Sequence, residues 1–185
     1  MSQRGGTTLL EHALLGLLYE KPSSGYDLRK IFATTSMGSF SDSPGAIYPA
    51  LRRLERKGFV QSRAQAGSGR RRQVVSLTDQ GTAELRNWIA QPVTQQEIMS
   101  ELREFMLRFA LSESVGGPAV SVELLSGLKQ ELKAVLSSLR DQQKALKPYL
   151  PLSGSLALES GVRGHEGLLE WCEHALAAYK SADKP

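Results

Sequence analysis

One strongly basic stretch of the chain is SPGAIYPALRRLERKGF, which covers residues 43–59. Four cations fall within six consecutive positions of it, at Arg52, Arg53, Arg56 and Lys57. Cations at this density can neutralise phosphate groups, and an arginine can also pair with the edge of a guanine base. The chemistry that these residues predict is the binding of a polyanion such as DNA.

The apolar residues of this stretch have the period of an amphipathic helix. Ile47, Leu51 and Leu54 recur at intervals of four and three residues. Ser43 is placed as the N-cap, and Gly58 is placed to end the helix. Small residues at the start of a helix allow close approach to a groove, and the free N–H groups there favour phosphate. We therefore expect this helix to lie in the major groove of DNA.

A basic hairpin is expected directly after this helix. The period changes toward two in FVQSRA and RRQVVSL, which flank the glycine-containing turn QAGSG. The candidate DNA-binding residues lie at the start of the helix, on its outer face and in the hairpin: Ser43, Gly45, Ala46, Tyr48, Pro49, Arg52, Arg53, Arg63, Arg70, Arg71 and Arg72. Core packing is the alternative for Tyr48, and stabilisation of the helix dipole is the alternative for Arg56 and Lys57.

Charge and cysteine content narrow the class of protein. Residues 1–91 hold 13 Lys and Arg against 7 Asp and Glu, and residues 92–185 hold 10 against 12, so the first half carries +6 and the second −2. This asymmetry predicts that the first half meets a polyanion. The single cysteine, Cys172, cannot form a disulfide within the chain, and no apolar run is long enough to span a membrane. We expect a cytoplasmic protein.

The sequence indicates neither catalysis nor metal binding. It has no G-x-S-x-G or H-E-x-x-H motif and no phosphate-binding glycine loop. The ligand-capable residues that cluster in the chain are His165, Glu166, Glu170, Cys172, Glu173 and His174. Zinc needs three or four converging ligands. His165 and Cys172 are two helical turns apart and could share a face, but His174 points elsewhere. We expect no enzyme activity, no cofactor and no metal.

Helical periodicity dominates the chain, so the predicted fold class is mainly α. Three helices and the hairpin in residues 1–91 have the size of a helix-turn-helix domain, and residues 92–185 predict a helical domain. Heptad-like seams in this second domain predict contacts between subunits, with packing inside one chain as the alternative. The dimerisation candidates are Leu125, Leu128, Leu132, Val135, Leu139, Leu169 and Leu176.

Three glycines interrupt the last helical stretch, at Gly161, Gly164 and Gly167. Each costs about 1 kcal/mol relative to alanine inside a helix. They predict a loop before a helix that starts near residue 165, or alternatively a crevice for a small-molecule effector beside the first domain. The residues that would line this crevice are Trp88, His165 and Trp171.

Three motifs together resemble the PadR-type transcriptional regulators. They are LLGLLYEKPSSGYDLRKIF, GAIYPALRRLERKGFV and SLTDQG, in this order between Leu9 and Gly81. The resemblance implies a winged helix-turn-helix with a two-stranded wing and a homodimer that represses transcription at an operator. It also implies dimerisation by a helical C-terminal region, as in the long PadR and AphA-type branch, and release by a small molecule, as in some relatives. Ser24 and Tyr26 would approach a phosphate, with core packing as the alternative for Tyr26.

One departure from the family concerns the wing. Family members often have an aromatic residue in the second wing strand just before the LT pair, where this chain has Val74 and Val75. The arginines at positions 70–72 are therefore expected to dominate the contribution of the wing. The competing interpretation of the whole domain is a winged-helix interaction module, whose basic helix binds an acidic protein partner instead of DNA.

Overall fold

The structure, a computed structural model, describes residues 6–41, 43–64 and 73–182. They form two units, of which the first ends at Ile89 and the second begins at Ala90. The separate roles of the two predicted domains remain predictions. Among the helices of the described ranges, none combines the length and the apolar character needed to cross a lipid bilayer.

The first unit combines helices with a small sheet. In chain order its regular elements are α1 (Leu9–Glu20), β1 (Ser23–Ser24), α2 (Gly25–Thr34), α3 (Ile47–Arg56), β2 (Val60–Ala64), β3 (Gln73–Leu77) and α4 (Asp79–Ile89). Two 3-10 turns, Ser36–Phe40 and Pro44–Ala46, connect α2 to α3. The predicted helices and the predicted hairpin strands of this half are confirmed.

The core of the first unit lies where α1, α2, α3 and α4 meet. Its fully buried side chains come from the apolar stripe of each helix: Leu14, Leu15, Leu28, Ile47, Leu54, Leu85 and Ile89. Helix α1 begins with a capping box, in which Glu11 N donates to Thr8 Oγ1 and Thr8 N donates to the Glu11 carboxylate. The stripe and the cap together explain why α1 forms at the centre of this unit.

The two predicted wing strands form as β2 and β3, and a short third strand, β1, extends the sheet. The strand order is β1-β3-β2, and both pairs are antiparallel. Val74 in β3 is paired with Ser24 on one side and with Arg63 on the other. The prediction missed β1 because two serines carry no hydrophobic alternation, and their strand conformation comes from pairing with β3.

The second unit is helical throughout its described part. Its helices are α5 (Gln95–Ser100), α6 (Leu102–Gly116), α7 (Pro118–Leu146) and α8 (Leu152–Ala182), and a 3-10 turn, Lys147–Tyr149, joins α7 to α8. Helix α6 ends at Gly116 and is followed by Gly117, whose φ of 82° suits a residue without a side chain. A buried ion pair between Arg108 Nη1 and Glu97 Oε1, 2.9 Å apart, ties α6 to α5.

Two predictions for this unit need correction. The loop expected before residue 165 is wrong, because α8 runs without a break through Gly161, Gly164 and Gly167. Part of the heptad seam of α7 is used inside the chain: Leu125, Leu128, Leu132 and Val135 are buried among α6, α7 and α8. The alternative of packing within one chain therefore holds for these four residues. Leu139, Leu169 and Leu176 remain partly exposed.

Candidate nucleic-acid interface

The start of α3 is open to solvent and is not capped by a side chain. Ser43 has extended backbone angles, and its carbonyl accepts a hydrogen bond from Ala46 N at 3.0 Å. Ser43 occupies the predicted N-cap position before Pro44, but it begins the 3-10 turn Pro44–Ala46 and its hydroxyl makes no capping hydrogen bond. Helix α3 itself starts four residues later, at Ile47. Ser43 and Gly45 are exposed and Ala46 is partly exposed. A helix start of this kind can receive an anion at its N–H groups.

Helix α3 divides sharply into a buried and an exposed side. Ile47, Ala50, Leu51 and Leu54 are buried, and Tyr48, Pro49, Arg52, Glu55 and Arg56 are exposed. The period of the apolar residues predicted this division. The end of α3 is also as predicted, because Gly58 has a φ of 75° and Phe59 N donates to Leu54 O, which closes a Schellman motif.

Two arginines stand free on the exposed side of α3. Neither Arg52 nor Arg56 has a hydrogen bond or an ion pair with any residue in the described part of the chain. Together with Pro49, Arg53 and Glu55 they line a shallow depression on the helix surface. Guanidinium groups without an internal partner are available to phosphates or base edges.

Arg53, which was predicted to contact DNA, is engaged inside the unit. Its Nε donates to Glu11 Oε1 at 2.5 Å, and Lys57 Nζ donates to Glu11 Oε2 at 2.9 Å. Glu11 is fully buried in α1, whereas the side chains of Arg53 and Lys57 are 39% and 26% exposed. Burial raises the pKa of Glu11, but the hydrogen bonds from Lys57 and Arg53 outweigh it, so the pKa lies below its ordinary value. Glu11 therefore carries its negative charge.

The two tyrosines predicted at the interface differ in their surroundings. Tyr48 is 45% exposed, and its ring packs on Gly25 at the start of α2. Tyr26 is 58% exposed, and the guanidinium of Arg29 lies 5.8 Å from its ring centre. Tyr48 thus packs on α2 with one part of its side chain and is exposed with the rest, while Tyr26 lies beside Arg29 and Lys30 on the surface of α2.

Ser24 does not reach the surface. Its hydroxyl accepts a hydrogen bond from Asp27 N at 3.2 Å and donates to Asp27 Oδ2 at 2.8 Å, and the residue is 4% exposed. The expected contact with phosphate is therefore not available in this conformation, because the hydroxyl serves as the N-cap of α2.

The wing is defined as β2, β3 and the residues between them. Within its described residues it contributes one arginine to the candidate interface. Arg63 is exposed on β2. Arg70, Arg71 and Arg72 lie outside the described residues. In β3, Val75 is buried with 6% exposure and Val74 is partly exposed.

The sequence did not single out Glu11 or Gly25 as parts of this site. The motif T-x-x-E at Thr8 marks Glu11 as a helix-start residue, but its ion partners lie 42 and 46 positions further along the chain. Gly25 reads as a loop signal in the sequence, and its contact with Tyr48 depends on how α2 and α3 pack. Both roles arise from tertiary structure.

The three residues predicted to line an effector crevice have partners of their own. In the first unit, the Trp88 ring stacks on His12 with 4.1 Å between ring centres. In the second unit, Trp171 meets Phe109 edge to face at 5.5 Å, and His165 Nδ1 lies 2.7 Å from Gly161 O. Cys172 is buried and its thiol donates to Leu125 O at 3.1 Å. Within the described residues, no group of three His, Cys, Asp or Glu side chains converges as metal ligands.

Comparisons with known proteins match both halves of the chain. Residues 14–87 match the model of the transcriptional regulator PadR-like family, and residues 103–180 match the model of the virulence activator alpha C-terminal region. The chain is 28% identical over 178 residues to the negative transcriptional regulator PadR of Bacillus subtilis (strain 168). The aligned region covers 91% of this chain and 96% of that protein.

Two solved structures are similar to the chain with low TM-scores. The Bacillus subtilis PadR in complex with operator DNA has a TM-score of 0.41 and 28% identity, over 92% of this chain and 98% of that one. The same protein in complex with p-coumaric acid has a TM-score of 0.40 and 26% identity, over 93% and 96% of the two chains.

Proposed function

Since the chain belongs to the PadR-like family of transcriptional regulators, we propose that it represses transcription by occupying an operator sequence as a homodimer. The observation that carries this proposal is the exposed side of α3, where Arg52 and Arg56 have no partner in the described chain. An exposed helix with a small-residue start and two unpaired arginines fits the major groove. A relative that is 28% identical is a negative regulator, which favours repression.

The proposed contacts fall into two kinds. Arg52 and Arg56 read base edges or bind the flanking phosphates, and Pro49 and the start of α3 at Ser43, Gly45 and Ala46 approach the groove. Backbone phosphates are bound by Tyr48, Tyr26 and Arg63, and by the arginines at positions 70–72. Contacts of the second kind fix the position of the protein without reading sequence.

A homodimer is proposed with α8 as its contact. Val162 and Cys172 are the residues of this 31-residue helix that are buried in the described chain. Leu152 and Leu156 are 76% and 54% exposed, and Leu169 and Leu176 are partly exposed. A second copy would cover these leucines, and a dimer presents two α3 helices to the paired half-sites of an operator. Leu139 is the remaining candidate on α7.

Release by a small molecule and a cytoplasmic location are further parts of the proposal. The Bacillus subtilis PadR has been crystallised with p-coumaric acid. In this chain Trp171 and His165 are partly exposed on α8, so they are the positions at which we place an effector contact. Titration of p-coumaric acid against tryptophan fluorescence, with operator release measured in parallel, tests it. We place the protein in the cytoplasm, where a regulator of this family reaches its DNA. We assign no catalytic role to the protein.

The proposed function is tested by binding to the DNA upstream of the protein's own coding region. Binding is measured across a salt series and against a random duplex, for the native chain, Arg52→Ala and Arg86→Ala. Arg86 is an exposed arginine of α4, so its removal changes the net charge equally. We expect steep salt dependence, a preference for the upstream DNA, and a slope about 0.9 lower for Arg52→Ala alone.

Three results would contradict the proposal. Equal binding to upstream and random DNA would exclude an operator in that fragment. Equal salt slopes together with equal affinity for the upstream DNA in the native chain and Arg52→Ala would remove Arg52 from the interface. Absence of binding at low salt would favour an acidic protein as the partner of the basic helix.

A further inference from the structure

We propose that Glu11 is a specificity-determining residue of the DNA-binding unit. Its buried carboxylate withholds Arg53 and Lys57 from the phosphates, so that α3 meets DNA with Arg52 and Arg56. This inference rests on the proposed function, because it concerns how the same helix distinguishes an operator from other DNA.

The geometry occupies both oxygens of the carboxylate. Arg53 Nε donates to Oε1, and Lys57 Nζ donates to Oε2. Thr8 N donates to Oε2 as well, at 3.1 Å. Lys57 Nζ makes a second hydrogen bond with Gly6 O at 3.0 Å. Both cations are therefore hydrogen-bonded to Glu11 of α1, although Arg53 also lines the depression that contains Arg52 and Arg56.

The ion pairs of Glu11 join a buried carboxylate to two cations that are partly exposed to solvent. Glu11 is fully buried, and a buried carboxylate needs paired charges to remain ionised. Arg53 and Lys57 are partly exposed, so they would point into solvent if Glu11 lost its charge. The basic stretch thus has four cations in sequence but two that are free of internal partners in the described chain.

The consequence for recognition follows from how phosphate contacts act. Each cation that binds a phosphate strengthens binding to every DNA sequence alike, whereas contacts with base edges strengthen binding to one sequence. Two additional free cations beside the reading arginines would raise affinity for random DNA more than they raise the preference for the operator. Glu11 prevents this rise in affinity for random DNA, because its buried carboxylate pairs with Arg53 and Lys57.

The test compares Glu11→Gln with the native full-length chain on operator and random duplexes across a salt series. Glutamine retains a capping-box acceptor at this position but has no charge. We expect the salt slope on random DNA to steepen by about 0.9 to 1.8, for one or two new phosphate contacts. The preference for the operator should fall. Glu20→Gln, an exposed acid at the other end of α1, has the same net charge and should retain the native slope.

A second variant decides the matter if Glu11→Gln does not fold. With Glu11 intact, Arg53→Ala should lower the slope clearly less than Arg52→Ala does. A loss as large as that of Arg52→Ala would overturn the inference, because it would show that Arg53 already binds phosphate. An unchanged slope in a folded Glu11→Gln variant would overturn it as well.

The outcomes also separate this inference from the proposed function. If the native chain shows no preference for any upstream DNA, the proposed operator fails, and the slopes on random duplex still support or overturn the role of Glu11. If neither the native chain nor Glu11→Gln binds DNA at low salt, both are overturned.

Discussion

A Cβ atom added to Gly25 would lie 2.7 Å from Cε1 of Tyr48. Gly25 is the first residue of α2, and Tyr48 lies on the exposed side of α3. The missing side chain at Gly25 therefore lets the ring of Tyr48 rest on the start of α2. The contact sets the position of a hydroxyl that we propose to bind phosphate.

Gly25→Ala should displace the Tyr48 ring and weaken operator binding about tenfold, the value of one hydrogen bond to a charged group. The free energy of unfolding should change by less than about 1 kcal/mol, because a partly exposed ring can rotate away from the new methyl group. Titration with operator DNA and urea unfolding measure the two effects. In a Tyr48→Ala background, Gly25→Ala should have no further effect on affinity. Additive losses would contradict the proposed link.

Two glycines should respond in opposite directions to the same substitution. A Cβ at Gly81 would lie 2.0 Å from the carbonyl oxygen of Phe59, which also accepts a hydrogen bond from Thr78 N. Gly81→Ala should therefore destabilise the first unit by about 1–3 kcal/mol or more, since backbone must move. At Gly161 a Cβ meets nothing within 4 Å, and Gly161→Ala should stabilise α8 by about 1 kcal/mol.

Urea unfolding of both glycine variants checks these signs. Stability of Gly81→Ala equal to that of the native chain would contradict the close approach of α4 to Phe59. A loss of stability in Gly161→Ala would instead indicate that another molecule covers this side of α8 in solution.

The free energy of unfolding should depend on pH because His12 is buried. Burial lowers the pKa of His12 to about 4, although Glu84 and Glu11 act in the opposite direction, with Lys57 nearby lowering it further. The unfolded chain binds this proton at its ordinary pKa of about 6.5. Between these values the unfolded state holds more protons, so stability is lost as the pH falls from 6.5 to 4. The loss is at most about 3 kcal/mol.

His12→Phe isolates this contribution because phenylalanine can keep the stacking on Trp88. Urea unfolding at intervals of pH should give a flatter curve for the variant than for the native chain between pH 6.5 and 4. Below about pH 4.5 both curves should fall, since the lowered pKa of Glu11 means that its stabilising charge is lost there in both proteins. Parallel curves throughout would exclude His12 as the source.

Local patterns were sufficient to predict most elements but not α8. The apolar periods of α1, α3 and α4 and the glycine that ends α3 identified these elements. In α8, three glycines at about 1 kcal/mol each argued for a break. Packing along α7, with Val162 and Cys172 buried, holds the helix continuous instead. Propensity is a weak prior when a long neighbouring helix offers a surface.

The candidate site was predictable where one helix determines which side is exposed. Arg52 and Tyr48 follow from the period of α3 alone. Arg53 does not, because its orientation depends on Glu11 in another helix. Ser24 was misassigned for a related reason, since its capping of α2 and its pairing with Val74 together bury a residue type that is usually exposed.

The proposed dimer contact can be tested at one exposed leucine. Leu156 on α8 and Met99 on α5 are both 54% exposed, so a glutamate at either position is tolerated equally by the single chain. If α8 forms the interface, Leu156→Glu buries a charge against the second copy and should weaken the dimer at least about tenfold, whereas Met99→Glu should not. Sedimentation equilibrium measures the dissociation of the dimer.

Since half-sites are read in pairs, Leu156→Glu should also weaken operator binding while retaining the native salt slope per monomer on random DNA. A dimer that survives Leu156→Glu intact would move the interface away from this part of α8.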